Sequence, residues 1–338
     1  GQKVEDIELG VQRALRSVQL RVPENQPATA LSGGQMARLV VASAIAGAPS
    51  VLLLDEPLAQ LDPAAATALL SVLRSIADSG TAVVMIEHRV HLVRDMVDRV
   101  VVMNEGRIVG EGSDKLREVG LGLALPELRP PDSLGPLLLR GTGLRYRYPE
   151  SDFDALEGVD ISVRAGERIA LMGVNGSGKS TLLKALARSI DAGPIQSSGG
   201  VIDVPQDPDL ALFCPTVRDE LAYGPTEYRM SVRDVTERVD AVADALNLTH
   251  LLERAPQSLS RGQRLRVAVG AAMTVTPDVL LLDEPTSGQD RAEVSRMMHA
   301  LAGTDHTRAI VFATHDEELA QAAATRIVRL HQGCEVKL

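Results

Sequence analysis

Residues 173–180 read Gly173-Val-Asn-Gly-Ser-Gly-Lys179-Ser180, and this octapeptide decides the fold. Its spacing is that of a phosphate-binding loop. The preceding Ile169-Ala-Leu-Met172 is a short apolar run suited to a buried strand, and Thr181 to Ser189 reads as a helix. Strand, loop and helix is the context the pattern needs. Gly173, Gly176 and Gly178 let backbone N–H groups converge on phosphate oxygens at a helix N-terminus, where the helix dipole favours an anion. Asn175 and Ser177 complete the loop, Lys179 is expected to reach the β- and γ-phosphates, the Ser180 hydroxyl to bind Mg²⁺, and Thr181 to open the helix. Only five lysines occur in 338 residues, which makes a chance match remote.

Further along, Leu280-Leu-Leu-Asp283-Glu284 reads as a buried parallel strand delivering two carboxylates to its C-terminal edge, where ligands bind in open α/β sheets. Acids that end an apolar strand are commonly just a solvated strand end. With a phosphate loop upstream, Asp283 is expected to hold Mg²⁺ directly or through water, and Glu284 to orient or deprotonate an attacking water. His315 follows another apolar run, Ala309-Ile-Val-Phe-Ala313, so its imidazole is expected to reach the γ-phosphate. His88 follows Ala82-Val-Val-Met-Ile86 in the same way, while His91, His250, His299, His306 and His331 read as structural or surface residues.

The chain repeats itself. Leu31-Ser-Gly-Gly-Gln35 recurs as Leu259-Ser-Arg-Gly-Gln263, and Val51-Leu-Leu-Leu-Asp-Glu-Pro57 as Val279-Leu-Leu-Leu-Asp-Glu-Pro285, both 228 residues on. Glu87-His88 answers Thr314-His315 and Asp98-Arg-Val-Val answers Thr325-Arg-Ile-Val, 227 residues on. Chance matches would not share one spacing. The second copy begins near Leu137, so the same offset puts the start of the first about 91 residues before Gly1, and a tandem protein shortened at its N-terminus is expected. Val4 to Leu20, with helical spacing at Ile7, Val11, Leu15 and Val18, lines up with Val232 to Leu248. The expected organisation is residues 1–119 for the rear part of copy one, a Pro- and Gly-rich linker over 120–136, and 137–338 for a complete copy two. Extended, such a linker spans at most about 55 Å.

The copies also differ. The first has no phosphate loop, Arg261 stands where the first has Gly33, and Ser287-Gly-Gln-Asp290 replaces Ala59-Gln-Leu-Asp62. Ser32 alone reads as the N-cap of a helix over Met36 to Ala46. Repetition beside a phosphate loop gives it a second possible use.

A mass of 36.0 kDa suits two domains, and 45% hydrophobic with 24% charged residues excludes wholesale disorder. No apolar run approaches the roughly 20 residues that span a bilayer. A formal net charge of −10 disfavours a protein that grips nucleic acid. Cys214 and Cys334 have no disulfide or metal-ligand spacing, and nothing near Gly1 resembles a signal peptide.

Together, the phosphate loop, Gln206, the Ser-Gly-Gly-Gln element, the Asp283-Glu284 pair and the late histidine resemble the ATP-binding-cassette ATPases over nearly the whole chain. The resemblance implies an α/β P-loop NTPase fold: a RecA-like, mostly parallel sheet with a helical subdomain and an antiparallel β subdomain, in two cassettes of which the first is incomplete. It implies ATP and Mg²⁺, with Ser180, Gln206 and Asp283 at the metal and Glu284, His315 and Lys179 catalytic. Cassettes of this family pair head to tail, so Ser32, Gly33, Gly34 and Gln35 would close over ATP held at Lys179, the second cassette coming from the same chain or from a dimer. Tyr148 would stack on adenine, although Tyr146 and Phe153 lie close by and an aromatic here also serves as packing. Arg145-Tyr-Arg-Tyr-Pro149 and the stretch from Pro205 to Pro225 look most like the ATPases of energy-coupling-factor importers, which drive uptake of vitamins or of cobalt and nickel. That implies transmembrane transporter subunits as partners and a peripheral place on the cytoplasmic face of the membrane. The competing readings are a soluble tandem cassette acting on ribosomes or nucleic acid, and a nucleotide-binding regulatory module without turnover, against which Glu284 and His315 argue.

Overall fold

Runs of leucine and valine ended by acids become strands in both halves of the chain, and the longer helices between them start on hydroxyl or carboxylate caps. The structure, a computed structural model, describes residues 4–23, 26–28, 31–58, 61–87, 90–104, 106–112, 125, 127–131, 133–149, 151–303 and 309–336. His88, His306, Ala59, Gln60, the side chain of His91 and residues 120–124, 126 and 132 of the expected linker lie outside that description. Two compact units result, Gly1–Leu123 and Ala124–Leu338.

In the first unit α1 (Val4–Ser17) and α2 (Gly33–Ile45) precede β1 (Val51–Asp55), α3 (Pro63–Asp78) and β2 (Ala82–Ile86). A single turn, α4 (Val90–Val93), leads to a hairpin of β3 (Val101–Asn104) and β4 (Arg107–Glu111). The Asp62 carboxylate accepts the Ala65 N–H and Pro63 opens α3, the acid cap and first-turn proline that helix starts favour. β1 and β2 are parallel, with Val51 opposite Ala82 and Asp55 opposite Ile86. Leu52 on one face of this pair joins Leu58, Leu61, Leu69 and Leu73 in a single core. On the other face Val51, Leu53, Val84 and Ile86 are 50%, 73%, 53% and 60% exposed.

The second unit runs β5 (Leu137–Tyr146), β6 (Leu156–Arg164), β7 (Arg168–Met172), α5 (Lys179–Leu186), β8 (Ile195–Ser197), β9 (Val201–Val204), α6 (Val217–Glu227), α7 (Val232–Ala245), α8 (Arg261–Thr274), β10 (Val279–Asp283), α9 (Arg291–Gly303), β11 (Ala309–Thr314), α10 (Glu317–Ala323), β12 (Arg326–His331) and β13 (Cys334–Val336). A six-stranded sheet has the order β13-β12-β7-β11-β10-β9, parallel except for β13. β6, β5 and β8 make a smaller antiparallel sheet. This is the α/β P-loop architecture expected.

Alternate residues of the large sheet enter two different cores. Ala170, Leu280, Leu282 and Phe312 pack with α6 to α9, while Ile169, Leu171, Leu281 and Val311 pack with Leu182 and Leu186 of α5 and with Leu139 and Leu156 of the small sheet. A strand covered on both faces needs apolar residues throughout, and β7 is buried at every position. The first unit has only the former core. Val11 shows the same contrast on the helices, at 46% exposed against 2% for its repeat partner Val239, because α7 packs on α6 and no element of the first unit corresponds to α6.

Backbone geometry repeats as faithfully as sequence. Gln19, Ala48 and Glu56 are left-handed with φ of 54°, 50° and 46°, and Asn247, Thr276 and Glu284, each 228 residues on, have 54°, 52° and 50°.

Candidate nucleotide site

The loop after β7 is shaped by its glycines. Gly173 has φ +153°, and a side chain there would run into the Leu330 carbonyl and Ser177. Gly178, at φ +103°, presses on the Ala155 carbonyl and directly precedes α5. A Cβ on Gly176 would meet nothing within 4 Å, so that glycine is required by its φ of +78° alone. Lys179 is buried, and its Nζ donates to the carbonyls of Gly173 at 2.7 Å and Val174 at 3.3 Å. The amine thus lies across the loop it is expected to serve.

β7, β11 and β10 are neighbours, so their C-terminal ends bring residues more than a hundred positions apart to one sheet edge. Asp283 ends β10 beside that loop. Burial pushes its carboxyl above the usual carboxylate range, opposed by a hydrogen bond from Ser180 and by the charge of Lys179, and reinforced by Glu284. Glu284 is buried in its left-handed turn, its N–H donating to the Ala313 carbonyl at 3.0 Å. His315 Nδ1 stands 3.0 Å from Glu284 Oε2. A carboxylate held against an imidazole beside a phosphate loop is equipped to take a proton from water.

Two buried polar atoms, Ser177 Oγ and Asp283 Oδ1, find no hydrogen-bond partner in the protein. Buried oxygens without partners are costly, and this pair fits a loop built to receive phosphate oxygens and a hard cation, for which oxygen donors are the appropriate ligands. Among the described residues no cluster of three or more His, Cys, Asp or Glu forms a metal site independent of nucleotide.

Other expected residues are placed less directly. Gln206 is half-buried after β9, and its carbonyl accepts from Arg261 Nη2 at 3.3 Å. Tyr148 stands edge-on to Tyr146, ring centroids 5.0 Å apart, and its hydroxyl is 3.4 Å from Thr181 Oγ1. The ring is therefore anchored to the start of α5 from the outset. In the first unit Ser32 caps α2, with its Oγ accepting from Gln35 N–H and Gln35 Oε1 accepting from Ser32 N–H. Ser260 and Gln263 make the same reciprocal pair. Gly33 and Gly34 occupy the first turn, so α2 begins at Gly33, ahead of the expected Met36. The capping role and an exposed row of first-turn amides coexist.

One requirement escaped the sequence reading. A Cβ on Gly262 would fall inside the Gly288 carbonyl and reach Gln289 Cγ at 3.0 Å. The loop after Glu284 thus packs directly on the start of α8, and Gln289, itself buried, donates to the Pro285 carbonyl at 2.9 Å. The only hint in sequence was the unusual Ser287-Gly-Gln-Asp290 run.

Comparison with known proteins agrees with this geometry. A family model described as ABC transporter matches residues 3–59 and 156–287, more than half of the chain. A protein of Methanosarcina acetivorans, provisionally named an ABC transporter ATP-binding protein, is 31% identical over 423 residues, covering 97% of this chain, while the chain spans 65% of that relative's length. The solved structure of cbiO1 from Clostridium perfringens, described as part of the ABC transporter complex cbiONQ, is 27% identical with a TM-score of 0.53 over 60% of this chain and 87% of that one. A structure titled RNase-L Inhibitor shares the fold across 100% of this chain and 72% of its own, at 21% identity and a TM-score of 0.69. The chain is thereby a member of the ABC transporter family, whose ATPase domains bind and hydrolyse ATP.

Proposed function

We propose that this chain is the ATP-hydrolysing part of an ABC importer of the energy-coupling-factor type, powering uptake of a vitamin or a transition-metal ion. The observation that carries the chemistry is the meeting of the Lys179 loop, Asp283, Glu284 and His315 at one sheet edge. Lys179 and the loop amides bind the triphosphate, Glu284 accepts a proton from the water that attacks the γ-phosphorus, and His315 holds Glu284 in place. Ser180, Asp283 and Gln206 would hold Mg²⁺, which when bound neutralises charge on the phosphate oxygens. The start of α2, with Ser32, Gly33, Gly34 and Gln35, is offered to the γ-phosphate of nucleotide held by a facing cassette.

Likeness to cbiO1 supports the importer reading. So does an exposed apolar patch after Gln206, where Leu210 is 78%, Phe213 64% and Tyr223 47% exposed, the kind of surface that receives a partner. No described helix is long and apolar enough to cross a membrane, so transport requires separate membrane-spanning subunits, with this chain at the cytoplasmic face. The test is affinity purification from membranes, with ATPase assays of Lys179→Ala and Ser32→Arg. Recovery with ribosomes or RNA in place of a membrane subunit would assign the chain to the soluble class, and unchanged hydrolysis in Lys179→Ala would sink the site itself.

A further inference from the structure

The first unit contains an apolar groove of about 430 Å³ between β2 and the segment entering β3, lined by Val83, Val84 and Met85 on one side and Asp98, Arg99 and Val101 on the other. The repeat identifies what fills the corresponding place in the second unit. There β7 lies between β11 and β12, Ile169 opposite both Val311 and Arg326, and Leu171 opposite both Ala313 and Val328. Shifted by the repeat offset of 227, these four partners are Val84, Arg99, Ile86 and Val101. The residues that flank β7 in one unit thus flank a groove in the other.

The faces agree. Val279, Leu281 and Val311 are at most 1% exposed under α5 and the small sheet, whereas Val51, Leu53 and Val84, their equivalents, are each at least half exposed. At about 25 cal/mol per Å² of apolar surface, such a face is costly to leave in water. The unpaired strand edges on either side of the groove are open to parallel pairing.

We propose that the first unit is an acceptor for a strand, phosphate loop and helix of the β7–α5 type, joined ahead of α1 in the same polypeptide. The strand enters parallel between β2 and β3, its second residue beside Val84 and Arg99 and its fourth beside Ile86 and Val101, and the helix covers Val51 and Leu53. Its loop then ends beside Asp55 and Glu56, where Glu56 N–H already donates to the Ile86 carbonyl at 3.0 Å as Glu284 N–H does to Ala313. Docking would thereby create a second phosphate-binding site. The inference rests on the cassette reading given above.

The test prefixes residues 137–231 of this chain to Val4, since Val4 matches Val232 and the repeat spacing is thereby restored. Hydrogen exchange of peptides covering 82–87 and 99–102 is compared in the chain and in the extended protein. Extension is expected to slow exchange there at least about 100-fold, as new ladder bonds make opening rarer. A cysteine pair at Val84 and at the appended copy of Ile169, in a background lacking Cys214 and Cys334, is expected to oxidise to an intramolecular disulfide, while a pair using Val83 is not. Unchanged exchange, or indifference to the choice of Val83 or Val84, overturns the proposal. Protection already present in the unextended chain, lost on dilution, would give the groove to a second copy and equally overturn it. ATP binding at Lys179 and loss of turnover in Glu284→Gln, measured on the same proteins, report on the function of the second unit separately.

Discussion

Leu53 and Leu281 are the same residue in the same heptapeptide, Val-Leu-Leu-Leu-Asp-Glu-Pro, yet one is 73% exposed and the other fully buried. Truncating each to alanine isolates what burial alone contributes. Leu281→Ala removes methyl groups from a core shared with Val311, Leu182 and Leu186, and at a fully buried site this costs about 3 kcal/mol from lost transfer energy plus the cavity left behind. Leu53→Ala gives up mostly hydrated surface and is expected to change stability by no more than about 0.5 kcal/mol. The chain has no tryptophan, and its four tyrosines, Tyr146, Tyr148, Tyr223 and Tyr228, all lie in the second unit. Tyrosine fluorescence therefore follows the second unit alone, while far-UV circular dichroism follows both. With a urea slope of roughly 3 kcal/mol per molar for a unit of this size, Leu281→Ala should move the fluorescence midpoint down by about 1 M. Leu53→Ala should leave that midpoint in place and barely alter the dichroism curve. Equal losses from both variants would refute the assignment of one covered and one open face to the repeated strand.

Glu284→Gln keeps the shape of the side chain beside His315 but not its proton affinity, so ATP binding by equilibrium dialysis should persist while phosphate release falls about 10²- to 10⁴-fold. Gly262→Ala drives a methyl group into the Gly288 carbonyl and should cost about 1–3 kcal/mol in urea melts, whereas Gly34→Ala, whose Cβ meets Ala65 Cβ at 3.1 Å, should cost less. Burial, with Glu220 alongside, pushes the Cys214 thiol up to about 11. Its thiolate is therefore scarce at neutral pH and grows as pH rises toward that value, so iodoacetamide at pH 8 should label the half-exposed Cys334 first, with Cys214 labelled quickly only after unfolding, as peptide mapping would show.

Much of this was readable from residues alone. Apolar runs capped by acids gave the strands, the glycine spacing gave the loop before α5, and the two offsets gave the repeat. What sequence did not supply are contacts between distant segments. Nothing in the numbering puts His315 Nδ1 against Glu284, ties Arg261 to the Gln206 carbonyl, or packs Gly262 on Gly288, because each depends on how strands far apart in the chain are ordered in the sheet. Nor did Val51 to Leu54 reveal its open side. A wholly apolar strand looks the same whether one face or both are covered, since only a solvated face that has turned polar leaves a mark on the pattern. Lys179 is a further case: its motif gives a reach toward phosphate, while the structure shows the amine resting on the carbonyls of its own loop.

The matched left-handed turns have a historical meaning. A torsion of this kind disfavours most side chains by about 1 kcal/mol or more, and mutation has had the opportunity to install glycine at each. Gln19 has nevertheless diverged to Asn247 and Ala48 to Thr276 without relaxing either bend. A duplicated ancestor evidently bequeathed its corners as rigidly as its letters, and of the three pairs only the one ending the leucine strand kept its side chain too.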